Sequence, residues 1–81
     1  MRAAMAVWQR RLAADALAEA FEVCGGGFAG RRRLARRLGL SDRACCAWAQ
    51  AGYVPASRVL SVEAATRVPR HHLRPDIYPK P

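Results

Sequence analysis

The sequence predicts an all-α domain of four to five short helices with a proline-rich C-terminal tail. Three observations predict it. No stretch keeps an apolar/polar alternation, aromatic residues are 7% of the chain, and β-branched residues are few, so strands have little to build on. Apolar residues recur instead at three- and four-residue spacing, the repeat of one helix face. Glycine, serine and proline break these stretches where helix ends are expected.

The 81 residues suffice for one small domain. Hydrophobic residues make up 52%, but 17 of them are alanine, and Leu, Ile, Val and Phe together number 16, so the core is small. A chain this short buries only about 60% of its unfolded surface. That disfavours a roomy catalytic cavity and favours a binding module. No Ser/His/Asp or Cys/His arrangement suggests nucleophilic catalysis, and no enzyme activity or cofactor is expected.

A basic extension, residues 1–12, carries Arg2, Arg10 and Arg11. The domain proper is expected over 13–74, and a tail over 75–81. The first helix is expected at about 13–24, with an earlier start allowed by the pattern. Leu17, Phe21 and Cys24 follow the spacing of one buried face, and Trp8 and Leu12 continue the stripe backwards. Asp15, Glu19 and Glu22 occupy its other faces. Gly25, Gly26 and Gly27 stop it, because glycine is unfavourable inside a helix and at ease in the left-handed cap. Residues 25–30, GGGFAG, match the dinucleotide fingerprint only as letters, since a helix and not a strand precedes them. They are expected to form a flexible loop with Phe28 tucked onto the core.

The second helix is expected at about 31–38, with Leu34, Ala35 and Leu38 inward and Gly39 ending it. Leu40 returns to the core, and Ser41 is positioned to cap a third helix at about 42–50. Cys45 and Trp48 mark its buried face. Ser57 is positioned to cap a fourth helix running to about 67, with Val59, Leu60, Val62 and Ala65 apolar. A last short turn follows Pro69. Leu73, Ile77 and Tyr78 are expected to fold back as a lid on the core, and Glu63 to pair with a nearby arginine. The prolines of the tail exclude a further helix.

The net charge is +8, from 14 Lys+Arg against 6 Asp+Glu, and 13 of the cations are arginine. Six of the fourteen lie between Arg31 and Arg43, against the single acid Asp42. On the expected boundaries Arg31, Arg32 and Arg33 open a helix, where the dipole disfavours cations. No acid within four residues inside that helix compensates them. The placement makes sense if an anion such as phosphate sits there.

Other partners are set aside. No apolar run approaches the ~20 residues that span a bilayer, and no membrane partner is expected. The arginines of residues 1–14 suggest a presequence, but the apolar pattern continues past them without a cleavage-like break. Cys24, Cys45 and Cys46 form no framework for disulfides, which fits a reducing cytoplasm. His71 and His72 are adjacent, diverge by roughly 100° on a helix, and have no second ligand pair, so no metal site is expected.

The informative stretch is Arg31–Gln50: helix, Gly39-Leu40-Ser41 turn, helix. Ala35 must be small where the following helix crosses. Gly39 supplies the positive φ of a sharp turn. Leu34, Leu38, Leu40, Cys45 and Trp48 form the shared apolar seam.

The stretch RRRLARRLGLSDRACCAW resembles the lambda Cro and repressor-like helix-turn-helix proteins of the XRE superfamily. Together with VPASRVLSVEAATRVPRHHLRPDIYP, it is similar to the small YdaS-like, Cro-type regulators of prophages, also described as antitoxins of toxin–antitoxin systems. The resemblance covers about residues 15–79. It implies a four- or five-helix, lambda-repressor-like domain that binds double-stranded DNA, usually as a homodimer on palindromic operators. Carried over by position, the recognition helix is 42–50. Asp42, Arg43, Cys46, Ala47 and Gln50 then face the bases, with Arg43 suited to guanine and Gln50 to adenine. Arg31, Arg32, Ser41 and Arg58 are the implied phosphate contacts. Asp42 is expected to pair with Arg43 or Arg37, or to accept from cytosine. The alternative role is an antitoxin whose main task is holding a toxin protein, with DNA binding secondary.

Overall fold

Seventeen residues, Val7–Val23, form the first and longest helix, α1. The computed structural model describes residues 5–80. After α1 come α2 (Gly27–Arg37), α3 (Asp42–Ala51), a 3-10 turn (Ala56–Arg58), α4 (Val59–Thr66) and α5 (Arg70–Leu73). The all-α expectation holds, and among the described residues there is no strand. No helix there is long and apolar enough to cross a membrane.

Helix α1 starts six residues before position 13, so residues 7–12 belong to it. The Gln9 side-chain carbonyl accepts the Ala6 backbone N–H at 2.8 Å, satisfying one free donor of the first turn. Nothing from Val7 to Val23 breaks a helix, which explains the continuation. Arg2 of the expected extension lies outside the described residues. Ala13, Ala16, Leu17, Ala20 and Phe21 face the core. Trp8 does not join them: it is 63% exposed, because the core ends one turn further along the helix.

The glycine segment is not a loose loop. The Gly26 N–H donates to the Phe21 carbonyl at 2.8 Å and the Gly25 N–H to the Glu22 carbonyl at 3.0 Å. This is the Schellman pattern, and it closes α1 with Gly25 and Gly26 at positive φ. Helix α2 begins immediately, at Gly27. A Cβ built on the buried Gly30 would collide with the Phe21 carbonyl oxygen. Gly30 therefore lets α2 approach the end of α1 closely. Phe28, expected on the core, is 73% exposed, since it stands in the first turn of a helix rather than in a loop that folds inward.

Between α2 and α3 the Schellman pattern recurs. Leu40 N–H donates to Ala35 at 2.8 Å and Gly39 N–H to Arg36 at 3.1 Å, with Gly39 at φ 70°. Leu34, Ala35 and Cys45 are fully buried, Trp48 is buried, and Leu38 and Leu40 pack against them, so the expected seam forms. Ser57 caps nothing: it lies inside the 3-10 turn that precedes α4. Helix α4 ends with Arg67 in the left-handed region, φ 65°. Val54, Val59, Val62, Val68 and Leu73 complete the core.

The tail is partly a lid. Leu73 is fully buried and Tyr78 packs on the core, but Ile77 is 41% exposed. Arg74, which sequence reasoning did not single out, is buried. Its guanidinium donates to both Asp76 carboxylate oxygens, at 3.0 and 2.9 Å, and to the Val54 carbonyl at 2.9 Å. It also lies 4.8 Å from the Tyr53 ring centroid. A buried charge is tolerable only when so fully partnered. Glu63 pairs as expected with an arginine, Arg70, accepting from its backbone N–H at 2.7 Å and its Nη2 at 2.9 Å.

Candidate nucleic-acid interface

Because α2 begins at Gly27, Arg31, Arg32 and Arg33 do not open a helix. They lie one turn inside it, and the expectation that they cluster around helix N-terminal amides is corrected. The reason is local: the two glycines that end α1 leave no loop before α2, so its N-terminal amides belong to the glycine segment.

The five arginines of α2 do different things. The Arg31 guanidinium lies against two rings, 5.5 Å from the Phe21 centroid and 5.0 Å from Phe28, and is half-buried. This cation–π contact places Arg31 in the packing between α1 and α2. Arg33 donates to the Cys24 carbonyl at 3.4 Å, at the C-terminus of α1. Arg37 donates to the Ala65 carbonyl at 3.4 Å, in the last turn of α4, and approaches Cys24 Sγ at 3.8 Å. Both cations sit at helix C-termini, where the dipole favours them. Arg32 pairs with Asp42 at 3.5 Å. Arg36 is exposed, and its side chain has no ion-pair or hydrogen-bond partner among the described residues.

The partner of Asp42 is therefore Arg32, not Arg43 or Arg37. The turn carries the first residue of α3 back beside the middle of α2, whereas Arg37 is drawn away by the end of α4. Asp42 also sits in the first turn of α3, where the dipole favours an anion. Ser41 stands at the N-cap with extended backbone (φ −71°, ψ 157°), but its hydroxyl makes no capping bond and is exposed.

Along α3, Cys45 and Trp48 point into the core. Arg43, Ala47 and Gln50 are exposed at spacings of four and three residues, which places them on one stripe. Asp42 is exposed beside the stripe and Cys46 is half-buried at its edge. Arg58 is exposed in the 3-10 turn. Of the residues singled out from the sequence, Arg32 and Asp42 are brought into contact, and Arg31 is committed to aromatic rings. Arg36 was not among the singled-out contacts. Its four-residue spacing from Arg32 was the available signal, since it places both on one side of α2.

All three cysteines are free. Burial, then the neighbouring Cys46 and Cys24, push the Cys45 thiol up to about 11, so it stays protonated. The His71 and His72 rings meet edge to face at 4.4 Å. Beyond the C-terminal half of α3 lies an open groove of about 990 Å³, bordered by Ala47, Ala51, Tyr53, Pro55 and Ile77.

Residues 17–81 match the family model described as Bacterial toxin YdaS. The chain belongs to this family. The match runs from the middle of α1 through the tail, so it includes the α2–α3 pair and the Arg74–Asp76 contact of this YdaS-family chain. The family description names a toxin; the Cro-type regulator and antitoxin roles implied by the resemblance are not part of it. No curated protein and no solved structure is significantly similar to this YdaS-family chain.

Proposed function

We propose that this chain is a sequence-specific DNA-binding transcriptional regulator that reads the major groove with α3 and acts as a dimer on a palindromic site. The observation that carries this reading is the α2–turn–α3 unit itself. Two helices are locked by a glycine turn and an apolar seam, and the second presents Arg43, Ala47 and Gln50 on one exposed stripe. A helix so mounted has the form in which helix-turn-helix proteins offer side chains to base edges. Arg43 is the guanine reader, bidentate to O6 and N7; Gln50 suits adenine, and Ala47 a thymine methyl. Asp42 accepts from cytosine only when Arg32 releases it. Cys46 adds little. Arg32, Arg36, Ser41 and Arg58 hold phosphates, with Arg31 supporting them from its aromatic cradle. The reading involves no catalytic step, cofactor or metal, and its setting is a bacterial cytoplasm.

Selection of bound DNA from a random pool, followed by titration across salt concentrations, tests it. A dimer neutralising about 6–8 phosphates should show log K falling with log salt at a slope of roughly −5 to −7. A pool that yields no enriched sequence, or binding indifferent to salt, refutes the reading.

The family description favours a second reading, since it names a toxin. Here the chain is one half of a toxin–antitoxin pair, its main contact is another protein, and DNA binding is secondary. Tight capture of the product of the neighbouring gene, undiminished when Arg32, Arg36 and Arg43 are neutralised, would support it over the first.

A further inference from the structure

Helix α2 leaves an aromatic ring in solvent. Phe28, in its first turn, is 73% exposed. The Arg31 guanidinium lies over that ring, 5.0 Å from its centroid, and is itself 5.5 Å from the Phe21 centroid, so the exposed ring has a fixed support. At 3.6 residues per turn, Phe28, Ala29, Arg32, Arg33 and Arg36 fall within an arc of about 140°. All five are exposed, on the side of α2 away from the buried Gly30 and Leu34. Phe28, Arg32 and Arg36 follow one another at four-residue steps, about 6 Å each along the helix axis.

The arginines of this face border a common space. Ala29, Arg32, Arg33 and Arg36 line a shallow hollow of about 140 Å³, which the short Ala29 side chain helps to keep open. Three guanidinium groups around one hollow repel one another. Among the described residues, the one acid paired with them is Asp42, 3.5 Å from Arg32. Arg33 donates to a backbone carbonyl, that of Cys24, and the Arg36 side chain has no partner. An anion in the hollow relieves the repulsion, and phosphate matches the fork of guanidinium donors.

We propose that the outer face of α2 is a binding surface for single-stranded nucleic acid, on which a base stacks against Phe28 and the adjoining phosphates lie on Arg32, Arg33 and Arg36. An exposed aromatic ring beside a row of cations is the combination that holds single strands: the ring takes a base face and the cations take the backbone. In a duplex the bases are stacked on one another and offer only their edges in the grooves. A ring on the flank of a helix has no base face to meet there, whereas an unpaired strand presents one. Arg31 keeps the Phe28 ring in place before the strand arrives, so little side-chain freedom is lost on binding. Stacking accepts any base, so the surface is tolerant of sequence. It lies on a different helix from the α3 stripe and does not rest on the duplex reading.

Fluorescence anisotropy of the full chain at low salt is the test, with a short fluorescein-labelled oligothymidylate and, in parallel, a labelled duplex of unrelated sequence. Phe28→Ala should weaken single-strand binding by about fivefold to a hundredfold and duplex binding far less. Phe28→Trp should bind the single strand at least as well as wild type. Phe28→Leu, which keeps apolar bulk without a π-face, should lose affinity like Phe28→Ala, and it keeps the test open if the alanine variant folds poorly. Contacts from three arginines give an expected salt slope of about −2 for the single strand, reduced by about 0.7 in Arg36→Ala. A wild-type chain that does not bind the single strand overturns the proposal. So does a Phe28→Leu chain that binds it like wild type, or a Phe28→Ala loss that is equal on single strand and duplex. Phe28-dependent single-strand binding by a chain that selects no duplex sequence supports the proposal while the duplex reading fails, so the two are told apart.

Discussion

The guanidinium of Arg74 grips the carboxylate of Asp76, two residues on, while a third N–H of the same group holds the Val54 carbonyl at 2.9 Å. One buried side chain thereby ties the tail to the loop after α3. Arg74→Ala should destabilise the fold by about 2–4 kcal/mol, because it leaves the Val54 carbonyl and Asp76 without their partner. Asp76→Asn should cost less, about 1–2 kcal/mol, since the bond to Val54 survives. Urea denaturation of both variants measures the order, and equal losses would contradict it.

The same pair sets a pH dependence. Hydrogen bonds from Arg74 hold the Asp76 carboxyl below its ordinary range, and those from the Arg70 backbone and side chain do the same for Glu63. A carboxylate with a lowered folded-state value adds stability that is full above its unfolded value and is lost as pH falls through the folded one. Stability should therefore be level with respect to these groups from neutral pH down to the ordinary carboxylate range, about pH 4. It should fall below that. Asp76→Asn should flatten part of this acid limb, as followed by thermal unfolding at a series of pH values.

Gly30→Ala should be more harmful than a helix propensity scale suggests. Alanine is normally the better helix former, but here its Cβ meets the Phe21 carbonyl oxygen, a backbone atom that cannot rotate away. A loss of about 1–3 kcal/mol is expected from the forced shift of α2 against α1. For a domain of this size each kcal/mol lowers Tm by roughly 4–8 °C. An alanine variant with raised Tm would show that the two helices can separate without penalty.

Arg67→Gly should stabilise. Arg67 sits at φ 65°, which a residue with a Cβ adopts at a cost of about 1 kcal/mol and glycine adopts freely. Its side chain is exposed and makes no ion pair among the described residues. Thermal unfolding should register the gain.

If α3 reads DNA, two arginines should respond differently. Arg43→Ala should relax base preference at one position of the selected site, by about 1–3 kcal/mol of discrimination. Arg36→Ala should weaken all sequences alike and reduce the salt slope by about 1 per subunit. Arg31→Ala is the poorer probe of phosphate contact, because it also removes the guanidinium between Phe21 and Phe28.

Much of the fold was legible because its signals are local. The helix ends at Gly25–Gly26 and Gly39, and the seam of Leu34, Ala35, Leu38, Leu40, Cys45 and Trp48, follow from glycine chemistry and apolar spacing. Where local signals misled, a contact distant in the sequence decided. The glycine run looked like a loop because composition cannot say that Gly30 fits against the Phe21 carbonyl. Arg74 went unnoticed because a lone arginine beside proline has no feature that marks it as buried.

By itself, the sequence determined the all-α class, the glycine turn that joins α2 to α3 and the concentration of positive charge around it. These depend on residue type, spacing and turn geometry within a few positions of the chain. Only the tertiary structure decided which cations are free. Arg31, Arg33 and Arg37 are drawn to the Phe21 and Phe28 rings and to the C-termini of α1 and α4, while Arg32 is held by Asp42 and Arg36 stays exposed. The five share one short helix, but each one's partners depend on what packs beside its own face of that helix.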